Sequence, residues 1–500
     1  MKLNIIAAFL ALVLISVSCT NLDETLYSQV ESKDYGQTSS EISTLVGGAY
    51  ATLRGTNDDI SISYPTCEYV FFLNECSSDE ACIPARGTNW RDGGRYIQAQ
   101  QHAWESDNVM LLSAWRYCYL GINKINEKIF TIESAEMGEE AKNSVLAELR
   151  SLRAYYYYQL LDMFGNVPLS IEFGADANLP NSTRKEVYEF VEKEFKESLP
   201  YLSEEVIYGR MTQNVVNAML ARLYINSEVY IGEARWQDCI EACEKVTGYI
   251  IEPDYFTNFL TENQVSQENI FVIPYDHKEG TVGNYLHSMT FHYEHKYTVS
   301  STGDYPWCGN GICAQPGVYS MFEDIDRRKE SMLAGDQIHK GTGSVIIMDN
   351  GEPLIYTEEI GDFENAKDNE GVRLHKYEVK AGEQWERDHD WVLIRYAEIL
   401  MMQAECYVRL GSADLARPFI EQICTRAGIE TPSTIDMDFL DDEWLREFVF
   451  EGTRRTVNIR FGTYFEPWWS KEANEAYTAI YPIPQTELDK NPSLQQNPGY

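Results

Sequence analysis

Positive charge is scarce in this chain. Its 500 residues contain 41 lysines and arginines against 78 aspartates and glutamates, which gives a formal net charge of −37. Nucleic-acid phosphates demand basic surfaces, so this charge excludes DNA and RNA as partners. It equally excludes docking on anionic lipid by charge alone.

Common catalytic and metal-binding motifs are also missing. The sequence has no G-x-S-x-G elbow and no G-x-x-x-x-G-K-[ST] phosphate loop. The only histidine cluster, His287, His292 and His295, lacks the H-E-x-x-H arrangement, and the cysteines lack paired C-x-x-C spacing. We therefore expect no catalysis, no metal site and no cofactor. Calcium ligation by loop carboxylates stays open, with no residues assigned.

Long apolar runs are absent beyond the N-terminus. Residues 3–17 form the one such run, which is shorter than the about 20 residues that span a bilayer. It ends at Ser18-Cys19, which predicts a lipoprotein signal peptide over residues 1–18 and acyl chains such as palmitate on Cys19. An uncleaved signal anchor is the alternative.

Ten cysteines remain besides Cys19, and an exported protein could oxidise them. Two pairs are near enough in sequence to form disulfides, Cys76 with Cys82 and Cys308 with Cys313. Packed free thiols are the alternative for most of them. The sequence leaves the connectivity open.

Helical periodicity is what the chain has in abundance. Apolar residues recur at three- and four-residue steps from Leu112 to Ile129. Thr183 and Glu186 form a capping box before a further helix, and others are predicted over 213–226 and from about Trp236. These patterns predict a mostly α fold.

Residues 395–427 indicate how the helices pack. They predict a helical hairpin turned at Gly411 and Ser412. Four of its residues fall at the offsets of a tetratricopeptide repeat, namely Ala404, Tyr407, Ala416 and Ile420. Other helical pairs match the repeat less well, which predicts degenerate units stacked into a superhelix.

Segments of different character interrupt the helices. We predict one domain over 19–500, with long irregular, loop-rich insertions in a helical core. The predicted core covers about 41–65, 104–270 and 391–462; the loop-rich regions are about 66–103 and 271–390; an extended tail covers 478–500.

The segment LRAYYYYQLLDMFGNVPL, residues 152–169, is the most distinctive in the chain. It predicts a buried helix that ends at Gly165-Asn166, with Pro168 beyond. The run Tyr155–Tyr158 places phenol rings on all sides of that helix, and we assign these rings mainly a packing role.

This helix closely resembles the signature helix of the SusD-like (RagB/SusD) family. Residues 78–104 and the tail, which ends in NPGY, resemble further family segments in the same order. The family's Glu-Gly-x-Arg-Arg segment matches at Glu451, Gly452, Arg454, Arg455, Arg460 and Gly462. Val457 departs from the pattern, because relatives usually place an acidic residue there. We assign Arg454 and Arg455 a structural role.

The resemblance implies a tetratricopeptide-like helical fold and a function without catalysis. Family members are outer-membrane lipoproteins of Bacteroidetes that bind oligosaccharides or polysaccharides, including starch. They deliver the ligand to a SusC-like TonB-dependent transporter, over which they close as a lid. Asp23-Glu24 resembles the acidic tag that directs such lipoproteins to the cell exterior.

Two segments carry the predicted glycan-binding residues. Sugar rings stack on aromatic side chains, while their hydroxyls suit planar amide and guanidinium partners. The candidates are Asn89, Trp90, Arg91, Tyr293, Tyr297, Tyr305 and Trp307. Comparable regions supply the aromatic platform of SusD-like starch binders, which favours Trp90, Tyr297 and Trp307. The alternative is that these rings pack loops against the helical body.

Two other functions remain as alternatives. A helical glycoside hydrolase would degrade the glycan, and a purely structural tetratricopeptide-type scaffold would bind protein but no sugar. The 13% aromatic content, with 33 tyrosines and 10 tryptophans, favours a glycan binder. The sequence does not identify the glycan.

Overall fold

A computed structural model describes residues 38–55, 68–276, 284, 286–304, 308–382 and 387–500. The predicted signal peptide, Cys19, Tyr305 and Trp307 lie outside the described residues. Within these ranges, no helix combines the length and the apolarity that crossing a membrane requires.

The described part of the chain is mostly helical, as predicted. Its α-helices are α1 Ser39–Ala51, α2 Glu68–Glu75, α3 Arg95–Gln101, α4 Val109–Glu133, α5 Glu139–Met163, α6 Arg184–Ser198, α7 Gln213–Ile225, α8 Ser227–Ile231, α9 Trp236–Cys243, α10 Lys296–Val299, α11 Tyr396–Arg409, α12 Ala413–Ala427, α13 Met437–Phe448, α14 Arg454–Phe461 and α15 Gln485–Lys490. Its strands are β1 Ala81–Cys82, β2 Asn269–Ile273, β3 Cys313–Ala314, β4 Met332–Leu333, β5 Gly335–Asp336, β6 Ile355–Tyr356, β7 Arg373–Leu374 and β8 Trp391–Arg395.

Neighbouring helices pack in pairs around one large apolar core, with α4 on α5, α5 on α6, and α11 on α12. The last pair is the predicted hairpin. Ala404, Ala416 and Ile420 are fully buried, while Tyr407 stacks on Phe419 with ring centroids 5.9 Å apart. Small residues allow the two helices to approach, which explains the tetratricopeptide-like spacing.

The tyrosine run lies in α5, and all four rings are buried. The hydroxyl of Tyr157 donates to the carbonyl of Ser170 at 3.0 Å, and that of Tyr156 lies 2.8 Å from Oγ1 of Thr52. Gly165 adopts a positive φ of 67° directly after the helix, which ends the helix where the sequence predicts.

The strands form four two-stranded antiparallel sheets: β1 with β3, β2 with β8, β4 with β7, and β5 with β6. In β1·β3, Ala81 pairs with Ala314 and Cys82 with Cys313. This small sheet joins the two predicted loop-rich regions, which are distant in sequence.

Four short helices of the described residues lie where the sequence predicts loops or extended chain. Helices α2 and α3 fall within 66–103, α10 falls within 271–390, and α15 falls within the tail. The prediction of an uninterrupted extended tail is therefore wrong. Pro484 sits at the N-cap of α15. A proline at the start of a helix does not disturb the helical hydrogen bonds, so the prolines of the tail do not exclude one turn of helix.

Candidate functional site

A buried arginine anchors the loop that carries the first predicted site residues. Arg86 follows β1, and its Nε donates to the carbonyl of Asn310 at 2.9 Å. Its Nη1 donates to the carbonyl of Lys367 at 2.5 Å, and the neighbouring Ala85 N–H donates to the carbonyl of Phe363 at 2.8 Å. These bonds fix the loop between two other segments of the chain.

Asn89 and Tyr293 come from the two predicted segments and meet in the structure. Nδ2 of the exposed Asn89 donates to the hydroxyl of the half-buried Tyr293 at 2.8 Å. Burial, and then the carboxylate of Asp368, raises the pKa of Tyr293, so its hydroxyl keeps its proton at neutral pH. With its oxygen accepting from Asn89, this hydroxyl can donate to a ligand.

Arg91 lies exposed on the same loop. Its Nη2 donates to the carbonyl of Glu364 at 2.9 Å and to Oδ1 of Asn365 at 3.0 Å, and its Nε donates to the carbonyl of Gly87 at 2.8 Å. Three fixed bonds hold the guanidinium in one plane at the surface. A planar group held in this way suits the hydroxyls of a sugar ring.

Trp90 combines a packing role with partial exposure. Its Nε1 donates to the carbonyl of Gly309 at 2.7 Å, and a Cβ added at Gly311 would lie 2.5 Å from the indole ring. The indole therefore rests against the 309–311 backbone, and Tyr96 lies beside it with ring centroids 5.7 Å apart. This geometry favours the packing interpretation for most of the Trp90 ring.

Tyr297 lies one helical turn beyond Tyr293, where a 3₁₀ segment Tyr293–His295 continues directly into α10. Its ring stacks on His339, with centroids 4.8 Å apart and planes 16° from parallel. It also packs against a small apolar cluster that includes Ile346. The structure thus joins Asn89 to Tyr293, with Arg91 on the loop of Asn89 and Tyr297 one helical turn beyond Tyr293.

Two members of the histidine cluster, His292 and His295, are packed inside the protein. Nδ1 of His292 accepts from the Glu294 N–H at 3.1 Å, and His295 stacks on Phe291 with centroids 4.1 Å apart. Burial is the main cause that lowers the pKa of His292 to about 3, so it is neutral at pH 7. The side chain of His287 lies outside the described residues.

The two arginines with a predicted structural role are both buried in ion pairs. Arg454 bridges Asp79 and Asp441, with N–O distances of 2.7 Å to each. Arg455 pairs with Asp162 of α5 at 2.7 Å. These contacts tie the Glu-Gly-x-Arg-Arg segment to the helical body and agree with the structural interpretation.

The sequence analysis missed a cleft between α4, α5 and α6. Its volume is about 580 Å³, and three aromatic side chains that are half exposed line it: Phe130 at 52%, Phe173 at 55% and Tyr201 at 51%. An ion pair also lines the cleft, in which Arg150 contacts Glu194 at 2.7 Å. Phe130 directly follows Ile129 and therefore lies off the apolar helix face that runs from Leu112 to Ile129. An aromatic residue off that face could have predicted the exposed ring.

Two segments of this chain match profiles of known protein families. Residues 77–225 match a SusD-like family profile described as starch-binding associating with outer membrane, and residues 318–479 match the SusD family profile. The two matches together cover more than half of the chain and contain Asn89, Trp90 and Arg91. They do not contain Tyr293 or Tyr297.

Individual relatives resemble the chain over most of its length. Starch-binding protein SusD of Bacteroides thetaiotaomicron is 26% identical, with 90% of this chain and 88% of that protein covered. SusD-like protein P2 of Formosa agariphila is 25% identical, with 98% and 99% covered.

A solved structure shares the fold. Surface glycan-binding protein A from Bacteroides thetaiotaomicron in complex with laminarihexaose has a TM-score of 0.75 at 20% identity, covering 92% of this chain and 99% of that chain. The helical architecture, the two profile matches and the full-length relatives agree, and this chain belongs to the SusD-like family.

Proposed function

We propose that this protein binds a neutral oligosaccharide or polysaccharide at the surface formed by Asn89, Arg91 and Tyr293, here called the glycan face. The hydrogen bond between Asn89 and Tyr293 supports this proposal most directly, because it joins the two predicted segments at one exposed point. Trp90 lies on the same loop as Asn89 and Arg91, and Tyr297 lies one helical turn beyond Tyr293.

The chemistry of the glycan face suits sugar hydroxyls. Asn89 and Arg91 offer planar polar groups, and Tyr293 offers a ring and a hydroxyl that can donate. The net charge of −37 disfavours sulfated and uronic-acid polymers through long-range repulsion. Starch, named for a sequence relative, and laminarin, named for a structural neighbour, are neutral glucose polymers and are the first ligands to test.

The proposal extends to the cell surface. Anchored through Cys19 and facing the cell exterior, the protein captures the glycan without cleaving it and passes it to a SusC-like TonB-dependent transporter. The lipoprotein-type N-terminus and the family membership support this part. We expect Cys19→Ser to lose the membrane-bound fraction. We also expect the wild-type protein to co-purify with such a transporter.

Affinity electrophoresis through gels that contain starch, laminarin or charged polysaccharides tests the binding. We expect one neutral polymer to retard the mature protein and product analysis to find no shortened chains. Asn89→Ala and Tyr293→Phe should each weaken the affinity about tenfold, since each removes hydrogen bonds to a polar ligand.

A matched control comes from a distant segment of the chain. Asn178→Ala removes an exposed amide far along the chain from the glycan face and should leave retardation unchanged. Release of oligosaccharides would favour the glycoside hydrolase instead. If no polymer in the panel retards a protein that still co-purifies with the transporter, the result would favour the structural scaffold.

Gly311→Ala separates the two roles of Trp90. The added methyl group would displace the indole from the 309–311 backbone without removing the ring. If Trp90 contributes only packing, Gly311→Ala and Trp90→Ala should weaken glycan binding equally. If its exposed part also contacts sugar, Trp90→Ala should cause the larger loss.

The aromatic cleft offers a competing location for the ligand. Its half-exposed rings Phe130 and Phe173 lie 5.6 Å apart between centroids. Phe173→Ala should leave retardation intact if the glycan face is the binding site. Loss of retardation in Phe173→Ala, with Asn89→Ala unaffected, would move the binding site to the cleft.

A further inference from the structure

Two cysteines face each other across the sheet that joins the loop-rich regions. Cys82 of β1 and Cys313 of β3 are directly paired in the antiparallel register, although 231 positions separate them in sequence. Their Sγ atoms lie 3.9 Å apart, and both side chains are fully buried. The sequence had suggested other partners, Cys76 for the first and Cys308 for the second.

The backbone at this pair is suited to a disulfide. Directly opposed residues of an antiparallel pair have Cα atoms about 4.5–5.5 Å apart. A disulfide spans Cα separations of about 4.4–6.8 Å. Gly371 leaves the necessary space, because a Cβ at that position would overlap Sγ of Cys313.

The surroundings of the pair favour the thiolate form of Cys313. Nη2 of Arg86 donates to Sγ of Cys313 at 3.5 Å. Burial acts to raise the pKa of Cys313, but the Cys82 thiol and the guanidiniums of Arg86 and Arg373 outweigh it and lower the pKa to about 6. Burial instead raises the pKa of the third nearby thiol, Cys76. In the closed sheet Cys313 is therefore the more readily ionised thiol of the pair, because burial and the Cys313 sulfur raise the pKa of Cys82.

We propose that Cys82 and Cys313 form a disulfide bond in the exported protein. The oxidising location rests on the proposed function, whereas the pairing rests on the register of β1·β3 and the Sγ distance. The pairing also replaces both of the disulfides that sequence proximity had suggested.

The reaction is a thiol–disulfide exchange with an external disulfide. While β1·β3 is still open, the thiolate of either cysteine attacks one sulfur of that disulfide, whose S–S bond breaks and releases one thiol. The other cysteine then gives its proton to solvent and attacks the protein sulfur of the mixed disulfide, which releases the second thiol. Two cysteines are oxidised and one external disulfide is reduced. Because both sulfurs are buried in the folded chain, the exchange takes place before β1·β3 closes.

This bond would lie directly behind the glycan face. Arg86, which anchors the loop of Asn89 and Arg91, contacts both Cys313 and the backbone of Asn310. A covalent link between β1 and β3 therefore fixes the segment of Asn89 against the region that carries Tyr293.

Peptide mass mapping of the full-length protein, purified from the surface of a cell that exports it, tests the bond. The protein is unfolded without reductant in an alkylating reagent and digested. We expect a linked peptide that contains Cys82 and Cys313, and two fewer alkylated sulfurs than in a reduced sample. Alkylation of both cysteines, or a link that includes Cys76, would overturn the proposal.

Variants give a second readout. Reduction should lower the melting temperature of the wild type and of Cys76→Ser by about 5 °C, since the bond closes a very long loop. The double variant Cys82→Ser/Cys313→Ser should show no change on reduction. An equal shift in this variant would contradict the assigned pair. Neither readout uses a glycan, so a linked protein that binds no polysaccharide would refute only the proposed function.

Discussion

At the scale of single residues, the most unusual feature is a pair of buried acids. Glu75 at the end of α2 and Glu80 before β1 are both fully buried, and each carboxyl group affects the pKa of the other. The backbone N–H of Gly452 donates to Glu75, and that of Phe450 donates to Glu80 at 2.6 Å. Desolvation raises the pKa of Glu75 to about 7 and that of Glu80 well above its ordinary value. The pair therefore holds at least one proton in mildly acidic solution.

Glu75 gives a pH-dependent contribution to stability with a definite sign. The unfolded chain releases this proton near pH 4.5, whereas the folded protein keeps it up to about pH 7. The contribution is full below pH 4.5 and is lost as the pH rises to 7. Between pH 4.5 and 7, the free energy of unfolding of the wild type should fall by up to about 3 kcal/mol more than that of Glu75→Gln. Urea titrations of wild type and variant at pH 4.5 to 7.5 measure the difference.

Buried histidines give the free energy of unfolding the opposite pH dependence over part of this range. Burial lowers the pKa of His102 and His389 to about 3, so their contribution is lost as the pH falls below 6.5. The difference between wild type and Glu75→Gln cancels this background. Glu244→Gln, at an exposed position, should reproduce the wild-type profile. A Glu75→Gln profile parallel to that of the wild type would contradict a raised pKa.

At the scale of elements, α4 and α5 pack closely because of one glycine. Gly121 of α4 faces the ring of Tyr156 in α5. A Cβ at position 121 would lie 2.8 Å from Cε1 of that tyrosine and closer to two further ring atoms. The phenol ring is fully buried and hydrogen bonded to Thr52 at its far end, so it has no room to withdraw.

We expect Gly121→Ala to lower the free energy of unfolding by about 1–3 kcal/mol, because overpacking outweighs the better helix propensity of alanine. Gly47→Ala is the matched control. Gly47 also lies in a helix, α1, but has no atom within 4 Å of an added Cβ. This control should raise the free energy by up to about 1 kcal/mol. Urea unfolding compares them; stabilisation by both substitutions would contradict the close packing.

Element by element, sequence periodicity predicted the helices well and the site only in part. The run from Leu112 to Ile129 and the Thr183–Glu186 capping box depend on neighbours within one helix, so local spacing reveals them. The meeting of Asn89 with Tyr293 depends on chain segments 204 positions apart. No local pattern encodes that contact. The same holds for the cysteines, since β1·β3 places Cys82 opposite Cys313, which lies 231 positions away.

At the scale of the whole molecule, a buried ion network joins regions from residue 268 to residue 451. Glu447 of α13 contacts Arg426, Arg395 at 2.5 Å and Arg328 at 3.0 Å. Glu268 contacts Arg395 and Arg426 as well, at 2.9 and 3.0 Å. The network connects β8, α12 and α13 with the irregular segment around Arg328. It therefore fixes the loop-rich region to the helical body.

We expect Glu447→Gln to lower the free energy of unfolding by about 3–5 kcal/mol, because it leaves three buried guanidiniums with less negative charge. Despite the desolvation, these arginines hold the pKa of Glu447 far below its ordinary value. The contribution is thus present above pH 4.5 and lost only in strong acid. Denaturant unfolding at pH 7 measures the loss.

The exposed pair Lys185–Glu233, at 3.1 Å, supplies the control. Water screens such a pair, so Glu233→Gln should change the free energy of unfolding by less than about 1 kcal/mol. Similar effects of the two substitutions would mean that the buried network contributes no more than a surface pair.

The C-terminal tail is hydrogen bonded to the C-terminal end of α5. Nδ2 of Asn497 donates to the carbonyl of Phe164, at the end of α5, at 2.7 Å and to the carbonyl of Tyr481 at 2.8 Å. The first bond spans 333 positions, so the carbonyl of Phe164 lacks this partner until residue 497 has been synthesised, although Gly165 already ends the helix locally. The order of synthesis therefore places this contact among the last that the growing chain can make.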